Sequence, residues 1–183
     1  MAENQKPYGG GNRPSYGNQT RQQDEQPKVN FKNKFEVDWI EKRILPATVE
    51  FAEEFGRHLV ENRLTTSQIR NFYSEVKRLE GKIRLLAAQQ KSTAKASGVA
   101  NQDAIEYLND DEFIRDFLLL KPKIAYAAQR ADSPGIRDFK AVMEKALGAV
   151  AFDNEKGVSK RGFDNFADIF EAIIAYHKVA GGK

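Results

Sequence analysis

The 183-residue chain contains no cysteine. That excludes disulfides, thiolate metal sites and cysteine nucleophiles, and it suits a reducing compartment. Histidine is scarce: His58 and His177 each stand alone on a helical pattern, with no second ligand at metal spacing, and read as core or boundary groups. No stretch approaches the roughly 18 apolar residues of a membrane span, and residues 1–30 have no apolar run that could serve as a signal peptide. A phosphate loop is missing as well, because Gly9-Gly10-Gly11 has neither a preceding strand nor a following Gly-Lys-Ser. Asp110-Asp111-Glu112 reads as first-turn acids that complement a helix dipole. Nucleophiles, acids and metal ligands do not converge anywhere, so no enzyme, metal site or cofactor is expected. The expectation is a soluble cytoplasmic protein without a membrane partner.

What the chain does have is charge arranged in blocks. The formal net charge is +3, yet the first 34 residues hold six basic and three acidic side chains, so the remainder balances. Within that neutral remainder, residues 36–54 and 100–118 are acidic, whereas residues 66–95 hold seven Lys or Arg against two Glu. Opposed charge belts suit a molecule that meets both a nucleic acid and protein neighbours.

Composition divides the chain into a tail, residues 1–34, and a helical domain, residues 35–183. The tail is rich in Gly, Asn, Gln and Pro and cannot bury enough apolar surface to offset its ordering entropy, so it is expected to be disordered. Its Arg and Tyr residues are of the kind that stack on unpaired bases. A folded domain of about 150 residues hides about 70% of its unfolded surface, enough for a core.

From Phe35 onward the patterns are helical. Pro46 suits a first helical position, with Val49, Ala52, Phe55 and Leu59 facing one way until a break at Asn62-Arg63. Thr65 and Gln68 fit a capping box flanked by the staple pair Leu64 and Ile69. Behind them Ile69, Phe72, Val76, Leu79, Ile83 and Leu86 recur at three- and four-residue steps, the spacing of one buried helix face. This helix is expected to end near Gln90, with residues 91–102 as a mobile connection. Further helices follow: one around Phe113 and Phe117, kinked or ended at Pro122, where the next can start; one behind Ser133-Pro134; and a last one opening at Ser159 with Phe163, Phe166, Phe170, Ile173 and His177 on one side. No useful strand alternation is visible. The expected fold is all-α, a compact bundle of five or six helices.

Basic residues stand at two kinds of position. Arg70, Lys77, Arg84 and Lys91 fall seven apart, about 100° around the helix from the Ile69 row. Lys121 and Lys123, Arg137 and Lys140, and Lys160 and Arg161 occupy first turns, where each costs on the order of 0.3–1 kcal/mol against the helix dipole. Free N–H groups with an added cation make a phosphate site, so these ends are candidate grips on a nucleic-acid backbone. The expected mode is sequence-independent and salt-dependent. Tyr126, beside Lys123, is a candidate for base stacking, with a core position as the plainer expectation.

Leu64 through Tyr73 with the basic helix behind it, and then Leu120-Lys121-Pro122-Lys123-Ile124-Ala125-Tyr126-Ala127-Ala128-Gln129-Arg130, resemble the small helical subunit of type III-A CRISPR-Cas effector complexes, the Csm complexes. The resemblance implies a non-catalytic subunit present in several copies. Such copies stack against one another, the backbone subunits and the large subunit, and contact the backbones of CRISPR RNA and target RNA. Arg70, Lys121, Lys123 and Arg130 lie within the resembling blocks, while Lys77, Arg84, Arg137, Lys160 and Arg161 are candidates from charge patterning alone. Stacked copies would also let one basic edge meet the acidic 110–116 segment of the next. Two other classes fit the residues: a free-standing single-stranded RNA- or DNA-binding helical protein, and a purely structural adaptor.

Overall fold

A computed structural model describes residues 29–96, 106–131 and 133–183, with the backbone alone for 90–96. The expected disordered tail lies outside the described residues up to position 28. The packed chain begins ahead of residue 35, because Phe31–Lys34 forms a single helical turn, α1, whose Phe31 is buried. A second turn, α2 (Asp38–Glu41), buries Trp39 and Ile40. Six longer helices follow: α3 (Pro46–Glu61), α4 (Thr66–Ala96), α5 (Asp111–Leu118), α6 (Leu120–Arg130), α7 (Pro134–Ala149) and α8 (Lys160–Val179).

The helix starts are set by the residues that announce them. Thr65 donates its N–H to Gln68 Oε1 at 2.8 Å, and Gln68 returns an N–H to Thr65 Oγ1 at 3.3 Å. Leu64 and Ile69 are both buried around this box. Ser133 and Ser159 accept from Ile136 N and Gly162 N, at 3.3 and 3.2 Å, and so cap α7 and α8. We expect Thr65→Ala to lower stability by about 1 kcal/mol in urea denaturation, the usual value of a lost hydroxyl cap. The turn between α3 and α4 comes at Asn62-Arg63, where Arg63 takes a positive φ of 63°.

One core runs through the described residues. Ile69, Phe72, Val76, Leu79 and Ile83 of α4 are buried, with Leu86 packed at the edge. They meet Ile136, Phe139, Val142 and Met143 of α7 and Phe163, Phe166, Phe170 and Ile173 of α8. Rings of Phe72, Phe139 and Phe170 lie 5.3–6.1 Å apart. The most extensive helix pair is α3 with α8.

Besides this earlier start of the packed chain, the structure departs from the sequence expectation in four places. Helix α4 continues to Ala96 rather than ending near Gln90, while residues 97–102 of the expected connection lie outside the described residues. Val49 is 43% exposed, because α3 turns Thr48, Phe51 and Phe55 inward instead. Tyr126 is exposed rather than in the core.

The fourth departure is a small antiparallel sheet: β1 (Tyr107–Leu108), β2 (Phe152–Asp153) and β3 (Gly157–Ser159), in the order β1-β3-β2. Strands of two or three residues are too short to show alternation. The β2–β3 turn is made by Asp153, whose Oδ1 accepts from Glu155 N and Lys156 N at 2.8 Å each. Gly157 is required at its end, with φ +91° and its α-carbon facing the Leu108 carbonyl, where a side chain would collide.

Candidate nucleic-acid interface

The two blocks that sequence analysis singles out face one another. On α4, Gln68, Asn71 and Glu75 are spaced three and four residues apart and share a face; on α6, Lys123, Ala127 and Arg130 do the same. Helix α6 packs on α4, and the two faces enclose a groove of about 580 Å³ with Phe72, Ala127 and Ala131 among its apolar lining. Lys123 and Arg130 both line this groove, although seven residues separate them in the chain.

Their neighbours differ. Lys123 Nζ lies 2.8 Å from Glu75 Oε2, which also receives Arg78 at 2.9 Å. Those two hydrogen bonds, Lys123 first, hold the Glu75 carboxyl below its ordinary value. Arg130 has no carboxylate partner among the described residues; its guanidinium stands 5.7 Å from the centre of the Tyr126 ring. Tyr126 is 65% exposed.

The remaining candidates are dispersed. Arg70, Lys77 and Arg84 lie roughly 150° around α4 from the groove face, by the 100° step of a helix. Lys77 is half-buried and bridges Glu80 at 2.9 Å and Glu171 of α8 at 2.5 Å. Burial alone would depress its ammonium, but bonds to the two glutamates carry it above the usual lysine value. Arg70 and Arg84 are exposed without a carboxylate partner among the described residues, as are Lys121 and Arg161. Arg137 is exposed at the start of α7, and Lys160 pairs with Asp164 at 2.5 Å.

At the helix starts that carry these cations, some of the backbone donors already have partners. In α7, Pro134 has no N–H, Gly135 N donates to Asn62 O at 2.9 Å and Ile136 N to its cap. In α8, Lys160 N donates to Glu106 O at 2.9 Å and Gly162 N to Ser159 Oγ. Leu119 is at once the last cap of α5 and the first of α6, so α6 starts against another helix. Neighbouring backbone and caps take part of the donors at these starts, while Lys121, Arg137 and Arg161 stay exposed.

The acidic segment is also committed within the chain. Lys82 bridges Asp110 and Glu112, both at 2.8 Å, and Arg78 meets Asp116 at 2.8 Å. Of the three leading acids, Asp111 has no cation partner among the described residues. The bonds from Lys82 and Arg78 hold Asp110 and Asp116 below the usual carboxylate range. With folded values depressed, the stability they contribute is present above about pH 4 and lost as pH falls through those values. We expect melting temperature to fall on acidification below about pH 4, and Asp116→Asn to be destabilised by about 1–3 kcal/mol at pH 7 with a shallower acid dependence.

His58 and His177 have structural partners. His58 Nε2 lies 2.7 Å from Asp138 Oδ2, and His177, fully buried, has Nε2 2.9 Å from the Leu64 carbonyl oxygen. Among the described residues no group of acids and histidines is arranged to hold a metal, and no helix is long and apolar enough to cross a membrane.

Residues 45–183, which contain α3 to α8 and both walls of the groove, match the family described as Csm2 Type III-A. The chain belongs to the Csm2 type III-A family. It is therefore a small subunit of a type III-A CRISPR complex, from a family of structural small subunits. No curated protein matches the chain. The matched region starts after α1 and α2. Within the Csm2 region, sequence reasoning located Lys123 and Arg130 but missed Gln68, Asn71 and Glu75 as a wall. Their signal was present as a polar row at three- and four-residue steps, running beside the more conspicuous apolar row.

Proposed function

We propose that this Csm2-type subunit is non-catalytic and works in several copies within a cytoplasmic type III-A ribonucleoprotein. There it holds the backbone of CRISPR RNA or target RNA without reading sequence. The supporting observation is that Lys123 and Arg130, from one resembling block, line a groove whose other wall is the second resembling block. Arg130 has no acid to neutralise it among the described residues, and Lys123 shares Glu75 with Arg78, so the two bring cationic charge to the groove mouth. Arg70, Arg84, Lys121 and Arg161 add positive charge on other faces, which suits a subunit with nucleic acid on one side and acidic surfaces of the backbone or large subunits on others.

The test is salt dependence. The effector complex assembled with Lys123→Gln and Arg130→Gln is expected to bind RNA more weakly at every sequence tried. The slope of log affinity against log salt should shrink by about 0.7 for each phosphate of a single strand that is no longer neutralised. An unchanged slope would refute the groove as the contact. A free-standing binder would instead show the same affinity without the other subunits, and a pure adaptor would show no change in RNA binding.

A further inference from the structure

We propose that the groove between α4 and α6 seats an unstacked nucleobase of the bound RNA, with its face on Tyr126 and its edge at Glu75. This rests on the backbone reading above, and it names what enters the groove between the phosphates.

Four features point this way. Tyr126 is 65% exposed, and one face of its ring is approached by the Arg130 guanidinium at 5.7 Å, so a planar cation and a planar ring stand together at the groove mouth. Successive planar groups of this kind are what unpaired bases stack upon, each stack being sequence-tolerant because every base has a π-face. The groove's inner lining of Phe72, Ala127 and Ala131 is apolar, which offers nothing to a phosphate and much to the face of a base. Its volume of about 580 Å³ lies within the range of sites that hold small organic groups.

The fourth feature is the carboxylate. Glu75 would repel a phosphate entering the groove, so its presence has to be reconciled with RNA. Both of its cations, Lys123 and Arg78, lie on Oε2. Oε1 has no donor among the described residues. An acceptor left open at the wall of an apolar slot suits the amino group of a base, as a carboxylate accepts from N4 of cytosine. The phosphates on either side of the seated base then fall to Lys123 and Arg130 at the rim. Asn71 adds a side-chain amide to the same wall, which Gln68 also lines with its Oε1 already held by the Thr65 N–H.

The experiment uses the assembled effector complex with wild-type, Tyr126→Leu or Tyr126→Phe small subunit. A single 2-aminopurine, which carries an amino group, is walked along the bound RNA. Stacking on tyrosine quenches its fluorescence. We expect particular positions to be dark with the wild type and to brighten several-fold with Tyr126→Leu at unchanged subunit stoichiometry, while Tyr126→Phe, which keeps the stacking plane but not the phenol, retains wild-type RNA affinity. Glu75→Gln should brighten the same positions in part. If no position distinguishes Tyr126→Leu from the wild type, the base seat is wrong. The salt-slope measurement with Lys123→Gln and Arg130→Gln is read separately. A changed slope with no fluorescence response leaves backbone binding standing and removes the base seat. A fluorescence response with an unchanged slope does the reverse.

Discussion

Replacing Phe170 by alanine is expected to remove about 3–5 kcal/mol of stability, the cost of deleting a buried aromatic and leaving a cavity. Phe170 is 1% exposed on α8, and its ring meets those of Phe72 on α4, Phe139 on α7 and Phe166 on its own helix, at 5.3–6.3 Å. It is the point at which three helices share one side chain. The hole cannot close by moving one partner, because each partner is also fixed to the others: Phe72 and Phe139 are themselves 6.1 Å apart. Since a domain of this size holds only about 5–15 kcal/mol in total, the variant is expected to be unfolded at much lower urea concentration. A midpoint within the equivalent of about 1 kcal/mol of the wild type would show that the rings are less interlocked than their distances indicate.

The second large effect concerns two glycines that helix propensity treats alike. Gly56 lies within α3 where it crosses α8; a β-carbon built there would stand 2.8 Å from His177 N and from Tyr176 Cβ, both fixed to backbone. Gly81 lies within α4 with nothing near enough to touch a β-carbon. On propensity alone, each Gly→Ala change should stabilise its helix by up to about 1 kcal/mol. We expect Gly81→Ala to do so, by about 0.5–1 kcal/mol. Gly56→Ala should have the opposite sign and lose about 1–3 kcal/mol, because the largest helix interface must open to admit one methyl group. Matched urea melts of the two variants decide it. The same sign for both would mean that α3 and α8 do not approach so closely.

How much of this was legible depends on the distance over which each signal acts. Thr65, Ser133 and Ser159 announce their helices within four residues, and the buried rows of α4, α7 and α8 are written in local periodicity. The groove was half legible: each wall is a local pattern, but nothing in the chain says that Glu75 and Lys123 meet. The heptad stripe of α4 was legible as a spacing, but its neighbours were not. Its spacing is real, yet which face of α4 meets α8 is settled by packing, and packing gives Lys77 to Glu171. The basic first turns were legible as cations alone; that Gly135 N and Lys160 N beside them donate to Asn62 and Glu106 is decided by packing. The sheet was illegible because its pairing of Leu108 with Val158 joins segments fifty residues apart through strands too short to carry a period.

The two opening turns carry one more consequence. Lys145 of α7 donates to the carbonyls of Lys32 and Phe35, at 2.9 and 2.6 Å, and Asn165 of α8 donates to that of Ile40 at 2.9 Å. A single helical turn does not persist by itself, because nucleation is unfavourable until something else holds it. The side-chain donors that fix their backbone come more than a hundred residues later, whereas the rings of Phe31, Phe35 and Trp39 already meet Phe51 of α3. On a chain emerging from the ribosome, its earliest packed residues therefore gather their rings on α3 first, and their carbonyls wait for almost the whole domain before α7 and α8 bring the donors.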